Sequence, residues 1–369
     1  MRQTAQNRFY ALISASVLSL LATAGWSQSL TWLGALPDGR ESVAYAVSQD
    51  GRVVVGIAYN SGGYPRAFRW TPTDGMVLLS NNDSAALGVS ANGAIVVGWV
   101  VIGGIRRGFR WSSGNMQEMR GDVTGVSASG AAATGYYFSS RYYAYRWTQT
   151  EGSDSFLEYG RAYAISLDGT VVVGEEYIGG GRSIAFRKRF PGEFQRLGTL
   201  GGGSSVAYAV SGDGAVVVGK AQNTAQFFRP FRWTEETGMQ DLGSLGGNTG
   251  EARAVSADGS VVVGWATDEY SVPRAFRWIE GHGIQNLNEV YANLLLYGSE
   301  LLEAYGISPN GRYIVGRGFN AYTGRFEAFL LDTGGTTGCR LDSDVNRDGV
   351  VDDADLLQVL FNFGSSCGN

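Results

Sequence analysis

Hydrophobic positions between residues 30 and 332 come in short bursts that recur roughly every forty residues. Each period holds a run, usually rich in Val or Ile, that closes on a glycine: Gly56, Gly98, Gly135, Gly174, Gly219, Gly264 and Gly316. Ahead of each run stands Ser-x-(Asp/Asn/Ser)-Gly, from Ser48–Gly51 in the first copy to Ser308–Gly311 in the seventh. Behind each comes an aromatic segment, Phe68-Arg69-Trp70 in the first copy and Phe329-Leu330 in the last. Short alternating runs broken by glycine predict strands rather than helices. Asp50-Gly51 and its counterparts predict tight hairpin turns, since the glycine supplies a positive φ.

A fourth segment follows each aromatic one, as in Gly238-Met239-Gln240-Asp241-Leu242-Gly243. One repeat is therefore four strands, the content of a propeller blade. The seventh repeat stops at Phe329-Leu330-Leu331-Asp332 without its fourth strand, whereas an orphan fourth strand, Leu30 to Leu36, opens the array. This permutation predicts an all-β fold, a seven-bladed β-propeller over residues 28–333 closed by the N-terminal strand. An open β-solenoid shares the period but has no use for the permutation. Repeat three, with Ala131-Ala132-Ala133-Thr134 for the Val run, and repeat four, with Lys188 where Trp is usual, are expected to pack less well.

Leu197-Gly198-Thr199-Leu200-Gly201-Gly202, Ala207-Tyr208-Ala209-Val210-Ser211, Val216-Val217-Val218-Gly219 and Phe231-Arg232-Trp233-Thr234 make the repeats resemble the HAF-repeat extracellular proteins. The resemblance covers residues 30–332 and implies a location more than an activity.

The two ends differ from the array. Arg2 and Arg8, the apolar run Phe9 to Leu21 and the small-residue site Ala22-Thr23-Ala24 predict a signal peptide over residues 1–27 and a secreted or cell-surface protein. A retained membrane anchor is the other reading of that run. Residues 334–369 form a linker and an acidic module. Asp344, Asn346, Asp348, Val350, Asp352 and Asp355 fall at positions one, three, five, seven, nine and twelve of an EF-hand-like calcium loop, with Gly349 at six. The loop and the apolar helix face after it resemble half of a type I dockerin. Calcium is thus the expected cofactor, and a cohesin-like partner is a weak expectation because a second half is missing. Cys339 and Cys367, the only cysteines, bracket this module and predict a disulfide; two free thiols is the alternative.

Composition narrows the function. Fifty-five glycines, about twice the usual share, fit an array of regular turns. The net charge is −5, with no basic stripe, so nucleic acid is not an expected partner. His282 is the only histidine, which leaves almost no material for a Ser-His-Asp triad or a histidine-rich zinc site. The variable loops between second and third strands are rich in Tyr and Gly, and they lie on the face opposite the Asp-Gly turns. Trp99, Tyr143 and Trp265 are the candidate ligand-binding residues there, Trp99 and Trp265 because each directly follows a glycine expected to end its strand, which places both near the rim of the central channel. The expected function is non-catalytic binding of an extracellular carbohydrate or protein. The alternative is a polysaccharide lyase or glycoside hydrolase with loop-face carboxylates.

If the acidic module is a calcium site, the full chain titrated with calcium takes up one ion per molecule, and Asp344→Ala with Asp348→Ala abolishes that uptake without changing the thermal unfolding of the repeats. Intact-mass measurement is expected to find Cys339 and Cys367 oxidised; two alkylatable thiols would contradict the disulfide.

Overall fold

The computed structural model describes residues 28–334, apart from Tyr297. The predicted signal peptide, the calcium-loop residues Asp344, Asn346, Asp348, Val350, Asp352 and Asp355, and both cysteines lie outside the described residues.

Strands dominate, and they form seven four-stranded units in chain order. The first unit is Glu41–Val47, Val54–Tyr59, Pro65–Thr71 and Gly75–Leu78. The next five repeat that antiparallel order as separate four-stranded sheets. The seventh supplies only Glu300–Ile307, Tyr313–Asn320 and Arg325–Asp332, and the strand Ser29–Gly34 pairs antiparallel with its outer edge, Leu30 opposite Leu331 and Trp32 opposite Phe329. Ser42 of the first unit locks this join: its Oγ donates to Gly34 O (2.5 Å) and accepts from Ala328 N (2.8 Å). Leu33 and Leu36 are buried there, and the Trp32 ring meets Phe329 edge-on at 6.4 Å.

The turn of each unit is built by its serine. Ser48 Oγ accepts from Val53 N (3.0 Å) and donates to Asp50 Oδ1 (2.6 Å), while Gly51 takes φ +71°. The same hydroxyl-to-carboxylate or hydroxyl-to-amide bond recurs at Asn92, Asp168, Asp213, Asp258 and Asn310. Neighbouring turns are then bonded to one another through their second residues. Gln49 N donates to Ala91 O, Ala91 N to Ala128 O and Ala128 N to Leu167 O, at 2.9, 3.1 and 2.9 Å. Gly212 N donates to Ala257 O and Ala257 N to Pro309 O, both at 2.8 Å. Proline has no N–H. The last link is made by the next side chain, Asn310 Nδ2 donating to Gln49 O at 2.9 Å, which joins seventh unit to first.

A second joint runs further out. The Arg of each Phe-Arg-Trp segment lies over the Trp of the following unit: Arg69 on Trp111, Arg110 on Trp147, Arg187 on Trp233 and Arg232 on Trp278, at 5.6–5.8 Å from the ring centre. Such cation–π pairs contribute about 0.5–1 kcal/mol when exposed and more when desolvated. Arg146 and Arg187 also donate to the turn carbonyls of the next unit, Gly169 O and Gly214 O.

These joints correct one expectation. Repeat four lacks the Trp, yet Arg146 stacks at 5.1 Å on Phe190, two residues past Lys188, and Phe190 packs in the core of that unit. Repeat three compensates for its small run with a fully buried Tyr145, whose hydroxyl donates to Asp122 O (3.2 Å) and whose carbonyl accepts from Thr134 Oγ1 (2.7 Å). At the sixth-to-seventh joint the Trp position holds Leu331, and a short helix that the hydrophobic pattern does not announce, Leu287–Val290, delivers Tyr291 instead. Its ring lies 5.3 Å from Arg277, and its hydroxyl accepts from Arg277 Nη1.

The run-closing glycines are also not strand ends. Gly98 lies inside Ile95–Ile102 and Gly264 inside Val261–Asp268. In all seven units the inner strand bulges opposite this glycine, as between Ala44 and Ala46 opposite Gly56. The bulge turns a carbonyl at it, so a Cβ on Gly56 would fall on Val43 O, and one on Gly98 on Ala85 O. Close approach, not strand termination, dictates this glycine.

Deleting Leu30 to Leu36 removes Trp32, Leu33 and Leu36 from the join, at roughly 1.5–3 kcal/mol for each side chain withdrawn from contact. We expect the deletion to destabilise the repeats by about 5 kcal/mol; denaturant unfolding identical to the intact chain would contradict the pairing. The turns also predict an acid sensitivity. The Ser211 hydroxyl holds Asp213 below the ordinary carboxylate range. For Asp50, Asp168 and Asp258, burial pushes upward but the serine hydroxyl and backbone amide donors outweigh it, so these too are lowered. A depressed folded-state pKa stabilises above the unfolded value and loses that effect as pH falls through the folded value. Stability is therefore expected to drop below about pH 4. Replacing the four aspartates by Asn, the residue that units two and seven already use, should shrink the drop measured by urea unfolding.

Candidate functional site

The bulge of each inner strand re-aims one side chain toward the common axis. Tyr45, Leu87, Thr124, Tyr163, Tyr208, Arg253 and Tyr305, one from each unit, line a single axial cavity of about 440 Å3. Its charged groups are spent on one another. Tyr163 donates to Glu175 Oε1 at 2.6 Å, Lys220 to Glu251 Oε1 at 2.7 Å, and Tyr305 to Glu303 Oε2 at 2.5 Å. Arg253 pairs with Glu251 at 2.5 Å and lies 4.3 Å from the Tyr208 ring centre. Burial pushes the Tyr45 phenol up to about 12. Burial, then the neighbouring glutamates, push Tyr163 and Tyr305 up further. Phenols held protonated donate hydrogen bonds and do not act as bases near neutral pH. This axis is a polar belt whose charges are paired, although Arg253 Nε is buried without a hydrogen-bond partner.

The loop face is different. Where second and third strands meet, each unit exposes at least one large apolar side chain: Tyr64, Ile105, Phe138, Ile178, Phe227, Tyr270 and Tyr322, with Phe326 beside the last. Exposure rises to 77% at Tyr270 and 83% at Tyr322. Among the described residues, no exposed large hydrophobic lies in the seven Ser-x-x-Gly turns on the other face.

Between the second, third and fourth units the loop face sinks into an open cleft of about 600 Å3, lined by Arg106, Arg120, Asp122, Tyr136, Tyr137, Phe138, Tyr142 and Arg161. Arg106 grips the buried Asp122 with two bonds, of 2.8 and 2.6 Å. Arg120 lies on the Tyr137 ring at 3.5 Å, and Arg161 on Tyr142 at 3.9 Å. Burial is the main force pushing the Tyr136 phenol up to about 12, and Asp122 adds to it.

Two of the three residues singled out from the sequence back this cleft without forming its surface. Trp99 is half-buried under Arg106, whose guanidinium sits 3.7 Å from its ring centre. Tyr143 is half-buried and stacked on Tyr137 at 5.1 Å and 9°. Trp265 is half-buried in the sixth unit, outside the cleft. Sequence reasoning passed over the three arginines and Phe138. The only signal for them was the Tyr-rich stretch from Tyr136 to Tyr143, because the cleft gathers residues from three units. His282, in its turn, is exposed, with Nδ1 3.3 Å from Glu280 O.

Repeated four-stranded sheets around a common axis define the β-propeller class. No family model and no curated protein matches the chain. Among solved structures, it is similar to oligogalacturonate lyase from Vibrio parahaemolyticus at 10% identity and TM-score 0.56, over 82% of this chain and 93% of that one. It is likewise similar to the β-propeller domain of the Trilobed protease from Pyrococcus furiosus, at 8% identity and TM-score 0.54, over 81% of this chain and 99% of that domain. That domain is described as having an open velcro topology. TolB from Acinetobacter baumannii matches at 12% identity with a TM-score of 0.46, over 77% of this chain, which spans 65% of TolB's length. At these identities the likeness speaks for the fold alone.

Proposed function

We propose that the chain is an extracellular binding propeller, seven blades closed by Ser29–Gly34, which recognises a carbohydrate or protein ligand through its loop face. The observation that carries this reading is the crown of seven exposed apolar side chains on that face, against none in the turns opposite. Solvent-exposed Tyr and Phe on glycine-rich loops contribute contact area at low ordering cost. Their identity and loop length differ between units, as recognition of one particular partner requires. The turns repeat one arrangement and distinguish no blade from another. Secretion and the calcium-stapled C-terminal module belong to the same reading, supported by the residue patterns at the two ends of the chain.

Retention and cleavage separate binder from enzyme. The full chain, passed through a panel of immobilised polysaccharides and incubated with the same polymers in solution, should retain at least one and release no product. Tyr270→Ser with Phe138→Ser should cut retention several-fold at unchanged unfolding temperature, because both side chains are exposed. Product release would make the chain a lyase or hydrolase. Full retention by the double variant would remove the loop face as the site.

A further inference from the structure

The loop-face cleft has an imbalance that the rest of the surface does not explain. Its lining carries three guanidiniums against one carboxylate; Arg106 is matched by Asp122 through two bonds and Arg161 by the buried Glu175 behind the wall at 3.7 Å, which leaves one cation, Arg120, uncompensated. No Asn, Gln or Glu side chain joins the lining. Hydrogen-bond donors therefore outnumber free acceptors, so a ligand that fits must accept hydrogen bonds and bring negative charge.

Arg120 is the group available to it. Among the described residues no carboxylate lies within ion-pair distance of Arg120, which is exposed and lies against the Tyr137 ring at 3.5 Å. Stacking fixes the plane of the guanidinium and leaves its N–H edge for a planar or tetrahedral oxyanion. Tyr137 is in turn stacked on Tyr143, so the cation rests on two layers of aromatic support. Phe138, the next residue of the strand and so on the other side of the sheet from Tyr137, lines the same cleft; it is 66% exposed and 5.1 Å from Tyr142, and offers a bare aromatic platform. The cavity, about 600 Å3, is within the range of small-ligand sites.

On the loop-face reading above, we propose that this cleft takes an acidic saccharide, a chain of sugar rings bearing carboxylate or sulfate groups. The apolar face of a sugar ring lies on Phe138 while its anion meets Arg120. Trp99 and Asp122 hold Arg106 in the wall, and Tyr142 and Tyr136 hold Arg161, at 3.9 and 5.2 Å. A nucleic acid is a poorer match, since the cleft is local and the chain as a whole carries −5.

The test is calorimetric titration of the full chain with four probes: hexagalacturonate, a sulfated hexasaccharide, a neutral galactohexaose and hexaglutamate. We expect an acidic sugar to bind, the carboxylated and sulfated arms telling which anion is read, and binding to weaken with added salt. Arg120→Gln and, separately, Phe138→Ser should each weaken it about tenfold, with unfolding temperatures unchanged. Arg52→Gln, on the turn face, should have no effect. Neutral and acidic hexamers binding alike, with Arg120→Gln silent while Tyr270→Ser still weakens binding, would overturn the acidic-saccharide inference and leave the loop-face reading standing. Hexaglutamate binding as tightly as the sugars would overturn the saccharide assignment. Binding unaffected by every loop-face variant would overturn both.

Discussion

Inner hairpins in this molecule are bonded to their neighbours at six of the seven joints, and the rest of the structure depends on that head-to-tail contact. At five of them the second residue of one turn donates its N–H to the same residue of the next, which holds those turns to one geometry; no such bond joins Leu167 to Gly212. The serine that ties its turn and the glycine that allows the positive φ are consequences of this requirement. So is the exception at Pro309, where the backbone donor is missing and Asn310 reaches across to Gln49 with its side chain instead. That substitution falls at the join of last unit to first. The same join holds the Ser42 bridge and the strand Ser29–Gly34.

Outside this belt the Arg-on-Trp stacking fixes the angle between neighbouring units, and its variations follow one rule: the cation keeps a ring. Phe190 and Tyr291 provide it where Trp is lost, each from a different place in the chain. Only the seventh unit abandons the pairing. It has Leu330 in the arginine position, and Leu330 packs in one core cluster with Trp70 of the first unit. An apolar joint there matches the strand beside it and the residues just after, which contribute Leu33 and Leu36 to the same cluster.

Much of this was legible in the sequence, because a local requirement met seven times leaves a local mark seven times. The Ser-x-Asp-Gly turns, the aromatic strands and the misplaced fourth strand at Leu30 to Leu36 all belong to that kind. What escaped depends on approach between segments. The glycine after each Val run read as a strand end, since nothing in the sequence marks a carbonyl turned at it from a bulge one strand away. The helix Leu287–Val290 is a single turn, too short for a hydrophobic period. The cleft escaped for a third reason: Arg106, Arg120, Tyr136, Phe138 and Arg161 meet only after three units are laid side by side. Trp99, marked by the glycine before it, and Tyr143, from a Tyr-rich loop, are the support beneath the arginine and tyrosine that form its surface.

The two faces thus divide the work. One is held constant by the bonding of turn to turn, and the other carries loops that differ in length and content from unit to unit. The direct test of this division is hydrogen exchange of the full chain with and without the acidic saccharide proposed for the cleft. The account predicts added protection confined to the loop face, in residues 103–106, 119–122, 136–142 and 159–161, with the seven turns unchanged. Protection concentrated on the turns, or spread evenly around the ring, would contradict it.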